Sequence, residues 1–268
     1  MGFSMDNIQK GIKKMPRKII IYGPPKLGKS TLAGSTKKSL MIPTEDRVAH
    51  VDCDKTPVVK TYREILDIFD FLLNEKKHTY KNIIIDTLDW LEPILHQYIC
   101  DKKGFKSLTD DTSKETNFSK GLKYHAVEGW KTFLHNCDVL RDAGMNIIIV
   151  AHSQTITINP PNTDSYDKAV MKIDKNSLAV IEEWADIIAF YDKEIFVKTN
   201  EKSLDKKGKA LAAQKRKLHL SGENPAMLNG NSFGLGDAEV KLEYCSEIME
   251  WLLTESKNEI KNKKEGKN

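Results

Sequence analysis

Short apolar runs recur along the chain: Ile19, Ile20, Ile21 and Tyr22; Leu40, Met41 and Ile42; Ile83, Ile84 and Ile85; and Ile147, Ile148, Ile149 and Val150. They are apolar at every position rather than every second one, the pattern of strands buried on both faces in a parallel sheet. Between them the period changes to a helical one. Tyr62, Ile65, Leu66, Phe69, Leu72 and Leu73 follow Thr61 and Glu64, whose spacing is that of a capping box. Leu91, Ile94, Leu95, Tyr98 and Ile99 place a helix over 88–100. Val127, Trp130, Phe133, Leu134, Cys137 and Leu140 form another stripe, closed by Gly144 where a C′ glycine belongs. A shorter helix is expected over 30–36, with Ala33 and Gly34 small enough for close packing. Beyond these, the pattern predicts a helix over 176–184, a strand over 186–191, a hairpin over 195–220 around a lysine-rich turn, and a last helix over 244–254.

Strands alternating with helices imply an α/β fold: a three-layer α/β/α sandwich with a mostly parallel central sheet, plus a C-terminal β-hairpin. Two polar stretches, 101–125 and 152–175, read as long loops, which inside a compact domain are functional or disordered. The expected organisation is a lead-in over 1–16, one domain over 17–256 and a disordered, lysine-rich tail over 257–268.

Composition narrows the class. The net charge of +4 on 268 residues is only mildly basic, a weak pointer to nucleic acid. Cys53, Cys100, Cys137 and Cys245 form no CxxC pair. A disulfide framework or zinc site is not expected, and plain thiols in a reducing cytoplasm are. Nothing at the N-terminus reads as a secretory signal, and no apolar run is long enough to span a bilayer. A cytoplasmic protein without a membrane role is therefore expected.

The chemistry begins after the first strand. Gly23, Pro24, Pro25, Lys26, Leu27, Gly28, Lys29 and Ser30 fit the pattern G-x-x-x-x-G-K-[ST] between a strand and a helix. A triphosphate must be desolvated, and loop N–H groups at a helix start meet its charge. Gly28 allows close approach, Lys29 supplies a point charge at the β- and γ-phosphates, Ser30 offers its hydroxyl to Mg²⁺, and Thr31 supports the α-phosphate. ATP and Mg²⁺ are the expected ligands. Asp86, at the end of an apolar strand, is the expected holder of Mg²⁺ through water, although Asp86 or Thr87 would equally cap the helix that follows. Glu45 is the candidate to orient the attacking water, with Asp46, Asp52 and Asp54 as competitors. His152 and Gln154, just past the fourth strand, are candidate γ-phosphate sensors; a strand-end histidine bonded to backbone is the alternative.

Taken together, these segments resemble the RecA-like ATPases, and more closely the phage-encoded, single-domain RecA-like proteins of single-strand annealing and recombination. Residues 19–31, 41–45, 83–91, 144–152 and 185–190 carry the likeness. The resemblance implies that Glu45 is the catalytic glutamate and that the protein is an ATPase acting on single-stranded DNA in a phage or bacterial cytoplasm. A homo-oligomer and a single-strand-binding protein are the partners it suggests. It also implies that the stretches 101–125 and 152–175 face DNA, so that Lys102, Lys103, Lys106, Lys114, Lys120 and Lys123 would meet phosphates. Phe105, Phe118 and Tyr124 would stack on bases. Residues 193–220 hold nine Lys or Arg and three acids, a further basic footprint. The chain departs from the family at 223–235, which has no basic residue before the last strand; Lys215, Arg216 and Lys217 are the substitutes it offers. Two other readings stand beside this one. A P-loop small-molecule or nucleoside kinase would need an arginine-rich lid, whereas Arg17, Arg47, Arg63, Arg141 and Arg216 are scattered. A nucleotide-binding scaffold would turn over slowly.

Overall fold

A computed structural model describes residues 8, 11, 13–75, 77–198 and 209–255. Most of the lead-in, the lysine-rich hairpin turn and the tail 257–268 lie outside them.

The apolar runs form β1 (Lys18–Gly23), β2 (Ser39–Pro43), β4 (Asn82–Asp86) and the first half of β5 (Asn146–Ile158), with β3 (Asp54–Lys55) a two-residue addition beside β2. After β5 come β6 (Tyr166–Met171), β7 (Ile187–Lys198), β8 (Lys209–His219), β9 (Gly230–Asn231) and β10 (Ala238–Val240). The sheet runs β10-β8-β7-β1-β5-β4-β2-β3, with β6 on β5 and β9 on β7. From β7 to β3 the neighbours are parallel. The expected strand over 186–191 and the first arm of the expected hairpin are one strand, β7, which pairs antiparallel with β8, and β10 extends the hairpin.

Alternate residues of each strand enter two cores. Ile20, Tyr22, Ile83, Ile85, Ile147 and Ile149 face one side, where Tyr62, Leu91, Trp130 and Ile181 cover them. Those four come from α2 (Tyr62–Asn74), α3 (Leu88–Lys103), α4 (Val127–Asp142) and α5 (Lys175–Trp184). Ile19, Ile21, Ile84, Ile148 and Val150 face the other side, under α1 (Lys29–Gly34) and α6 (Cys245–Thr254). The molecule is thus the expected three-layer sandwich with a mostly parallel sheet. The Thr61 side chain accepts from Glu64 N, and Glu64 accepts from Thr61 N, completing the capping box. Gly34 packs so closely that a Cβ there would stand 2.3 Å from Val51 Cγ1.

Both stretches expected to be loops are partly regular. Residues 101–103 form the last turn of α3, and Gly121–Ala126 winds as a π-helical turn running straight into α4. Only 104–120 stays irregular. In the second stretch β5 continues to Ile158 and pairs antiparallel with β6, Ser153 opposite Met171 and Ile158 opposite Tyr166. The alternation of Thr155, Ile156, Thr157 and Ile158 is a half-buried strand pattern that the polar composition disguised.

Among the described residues no helix is long and apolar enough to cross a membrane, and the four cysteines are free thiols.

Candidate functional site

Register decides what meets at the carboxyl edge of the sheet. Gly23 lies opposite His152, and Asp86 lies opposite both Pro43 and Val150. Because β5 sits between β1 and β4, the phosphate loop, His152 and Asp86 form one row, with Glu45 just past the end of β2. This is the edge where ligands of open parallel sheets bind.

The loop's backbone is held in an unusual course. Lys26 and Gly28 both have left-handed angles, φ 64° and 95°, an arrangement that turns successive N–H groups to one side. Gly28 starts α1 without a side-chain cap. Gly23 has no room for a side chain, since a Cβ would stand 1.9 Å from the Tyr191 carbonyl oxygen on β7. Arg216, on β8, donates from Nε to the Leu27 carbonyl at 3.0 Å. A residue distant in sequence thus clamps the loop's crest, and no local pattern announces it.

Two opposite charges are buried here at a cost. Lys29 donates from Nζ to Gly23 O at 3.0 Å and to Pro24 O at 2.8 Å. Burial lowers its pKa to about 8, against the pull of Asp86, Asp89 and Glu45. Asp86 is fully buried, and neither carboxylate oxygen has a hydrogen-bond partner among the described residues. The Ser30 hydroxyl lies close enough to favour the charged form without completing a well-formed bond. Burial, helped by Glu45, raises Asp86 to about 6 despite Ser30, Lys29 and His152. A buried carboxylate with two idle oxygens beside a hydroxyl suits a hard divalent cation that completes its shell with water and phosphate oxygens. Among the described residues no group of three or more His, Cys, Asp or Glu would hold a metal by itself. The donor set therefore fits Mg²⁺ carried in with a nucleotide.

The raised pKa has a sign. An unfolded Asp titrates at 3.8 and the folded one at about 6, so between those values the native state holds more protons. Stability then falls as pH rises through that window, and the full cost, about 3 kcal/mol, is present above it. Asp86→Asn is expected to stabilise the nucleotide-free protein by about 1–2 kcal/mol at pH 8, after about 1–2 kcal/mol for an unpaired amide, and not at pH 4. Urea unfolding at the two pH values checks this; lower stability of the variant at pH 8 would contradict it.

Glu45 is held beside this row by backbone. Thr44 N donates to Asp86 O at 2.7 Å, Thr87 N donates to Thr44 Oγ1 at 2.7 Å, and that hydroxyl donates to Thr87 O at 2.7 Å. The ends of β2 and β4 are thereby locked together through the Thr87 main chain; Thr87 stands at the N-cap of α3, but its hydroxyl makes no capping bond there. The Asp86–Thr87 peptide is cis. A cavity of about 240 Å³ is lined by Pro25, Lys26, Gly28, Lys29, Ser30, Glu45, Arg47, His50, Thr87, Val150 and His152. Arg47 Nε lies 3.9 Å from Glu45 Oε2. Asp46, Asp52 and Asp54 do not line this cavity.

His152 is oriented by a residue that sequence reasoning missed. Asp89, on the first turn of α3, accepts from the His152 backbone N–H at 3.0 Å and faces Nδ1 at 2.9 Å. Burial pushes Asp89 up, but the ring and backbone hydrogen bonds from His152 outweigh it and hold the carboxyl below the usual range. An ionised Asp89 fixes the proton on Nδ1 and leaves Nε2 for a ligand. Gln154 is not at the cavity: its amide donates to Met171 O at 3.2 Å and Ile173 O at 3.1 Å, tying β5 to the end of β6 and the residues after it.

The lysines expected to bind DNA stand elsewhere. Lys102 and Lys103 lie 13 and 14 residues beyond Asp89 on α3, about 20 Å along the helix axis. Lys102 lies over the Tyr98 ring, Lys103 pairs with Glu128 at 3.7 Å, and Lys120 donates to Lys114 O. Lys106 and Lys123 do not line this cavity.

Comparison with known proteins gives three findings. A family model described as an AAA domain matches residues 15–218. Among solved structures, a KaiC-like protein from the hyperthermophilic archaeon Pyrococcus horikoshii OT3 is similar over 85% of this chain and 90% of its own, with 11% identity and a TM-score of 0.39. No curated protein matches the chain.

Proposed function

The chain belongs to the AAA-domain family of P-loop ATPases, and from that premise we propose that it hydrolyses ATP while acting on single-stranded DNA in recombination or annealing. The observation that carries the hydrolysis is one cavity holding Lys29, Ser30, Glu45 and His152, with the idle carboxylate of Asp86 buried against Ser30. Ser30, and Asp86 through water, would hold Mg²⁺, whose charge would be set against the phosphates. Lys29 moves from the loop carbonyls to the phosphates. Glu45 accepts a proton from the water that attacks the γ-phosphorus. The bond from that phosphorus to the β–γ bridging oxygen breaks with its electron pair, leaving ADP and phosphate. His152, set by Asp89 through Nδ1, offers Nε2 to the γ-phosphate and so reports on its presence.

The kinase alternative lacks support in the arrangement of arginines. Arg17 and Arg141 are bonded at the opposite edge, near the start of β1. Arg216 holds the phosphate loop and Arg47 faces Glu45. These do not form a lid over one acceptor.

The DNA part rests on the likeness of the motifs to RecA-like proteins and on exposed aromatic groups. Residues 17–256 are taken as one ATPase domain, working as a homo-oligomer in the cytoplasm, alongside a single-strand-binding protein. The test is ATP turnover with and without a single-stranded oligonucleotide. A several-fold stimulation is expected, with tighter DNA binding in a non-hydrolysable ATP analogue. Turnover and DNA affinity that ignore one another would end the proposal, and phosphate transfer to a nucleoside would favour the kinase.

A further inference from the structure

A second cavity adjoins the first, and the two share a wall. It measures about 420 Å³, and Glu45, Asp46, Arg47, Lys60 and Trp90 are among the residues that line it. Glu45 and Arg47 line both cavities. Glu45 is the buried side of their ion pair, with a side chain 11% exposed against 72% for Arg47. Trp90, on the first turn of α3, is 49% exposed. Trp90 presents an aromatic face beside two cations, Arg47 and Lys60, the pairing by which single-stranded nucleic acid is held.

We propose that this second cavity takes a segment of single-stranded nucleic acid, with a base stacked on Trp90 and a phosphate on Arg47 and Lys60, and that occupancy draws Arg47 away from Glu45. The inference rests on the DNA reading above and adds the place and the coupling. Base stacking on an exposed ring is tolerant of sequence, because every base has a π-face, and it works together with cations that meet the backbone. The neighbouring electrostatics suit one phosphate rather than many: Arg47 and Lys60 are offset by Glu45 and Asp46 on the same wall. The cavity therefore contributes a salt dependence with a slope of about −0.7 to −1.4 on a log–log scale, one to two phosphates' worth. The other exposed rings suit this less. Phe118 and Tyr124 are exposed as well, but neither lines a cavity that holds Glu45.

The coupling follows from the ion pair. With Arg47 beside Glu45, the guanidinium competes with an attacking water for the carboxylate oxygen. A strand phosphate competing for the guanidinium releases it. An ion pair with one exposed partner is worth little, so the gain from this step alone is several-fold, not thousands.

The experiment uses the full chain with a fluorescent oligo-dT and a non-hydrolysable ATP analogue, reading anisotropy, and then turnover with ATP. Trp90→Ala is expected to weaken DNA binding about ten-fold or more, and Trp90→Phe to recover most of it. Arg47→Ala is expected to raise turnover without DNA several-fold and to shrink the ratio of turnover with DNA to turnover without it. In unsubstituted protein, ultraviolet crosslinking to a bromouracil oligonucleotide is expected to label the peptide carrying Trp90. If unsubstituted protein binds no oligonucleotide, the DNA reading itself fails. If it binds but Trp90→Ala binds equally well, or crosslinks fall only within 101–125, the cavity assignment fails while the DNA reading stands. An Arg47→Ala protein no faster than wild type without DNA overturns the release of Glu45. Loss of self-association in Trp90→Ala with DNA affinity intact would make the cavity a contact between copies and overturn the assignment.

Discussion

Glu45→Gln is expected to slow ATP hydrolysis by about 10²–10³-fold while leaving the affinity for Mg-ATP within a few-fold. The amide has the same size and keeps an acceptor oxygen, so the neighbourhood of Thr44 and Arg47 is preserved, but it cannot take a proton from water. The loss corresponds to about 3–4 kcal/mol of barrier. Single-turnover hydrolysis and calorimetry with Mg-ATP check the two halves separately. If hydrolysis survives, the proton acceptor is a different group. If binding collapses as well, Glu45 serves the shape of the cavity rather than the reaction. A slow scaffold would show neither change, because its basal rate would not depend on this carboxylate.

Lys29→Ala is expected to weaken Mg-ATP binding or the following hydrolysis by a combined factor of about 10³ in kcat/KM, while the nucleotide-free protein unfolds no more easily. The asymmetry follows from the burial of the ammonium. In the folded protein Lys29 titrates at about 8 rather than its ordinary 10.5. Its charge therefore costs stability below about pH 8, and that cost fades as pH rises towards 10.5. Removing the ammonium removes the cost, partly offset by leaving the Gly23 and Pro24 carbonyls without a donor. The same titration weakens nucleotide affinity of the unsubstituted protein above about pH 8, where binding must first recapture a proton. Lys29→Arg does not restore function on this account, since the planar guanidinium is wider than the point charge the loop encloses. Thermal denaturation of the nucleotide-free variant and ATP titrations over pH 7–10 check both claims. A Lys29→Ala protein that binds Mg-ATP normally would remove the phosphate loop from the mechanism.

Asp86 and Lys29 share one physical theme. Each is held charged in a poorly solvated position, and a magnesium-bound triphosphate supplies what each lacks: anionic oxygens for the ammonium and a cation for the carboxylate. A site prepared in this way is less stable empty than occupied, which is the usual relation between activity and stability in binding clefts.

Read from residues alone, the sequence settled the parts governed by neighbours along the chain. Continuous apolar runs must be buried on both faces, so β1, β2, β4 and the start of β5 were legible. The helical stripes and the capping box of α2 were legible for the same reason. The phosphate loop was legible because its chemistry needs Gly28, Lys29 and Ser30 at fixed spacing. The polar half of β5 was not, since Thr155 and Thr157 look like loop residues until β6 lies beside them. Only the tertiary structure decided which polar groups meet. Inserting β5 between β1 and β4 puts His152 opposite Gly23, across from an Asp89 that lies 63 residues earlier in sequence. The β7–β8 hairpin carries Arg216 to Leu27 across 189 residues. Strand order and the burial of whole faces set those contacts, and neither is written in any local window of sequence.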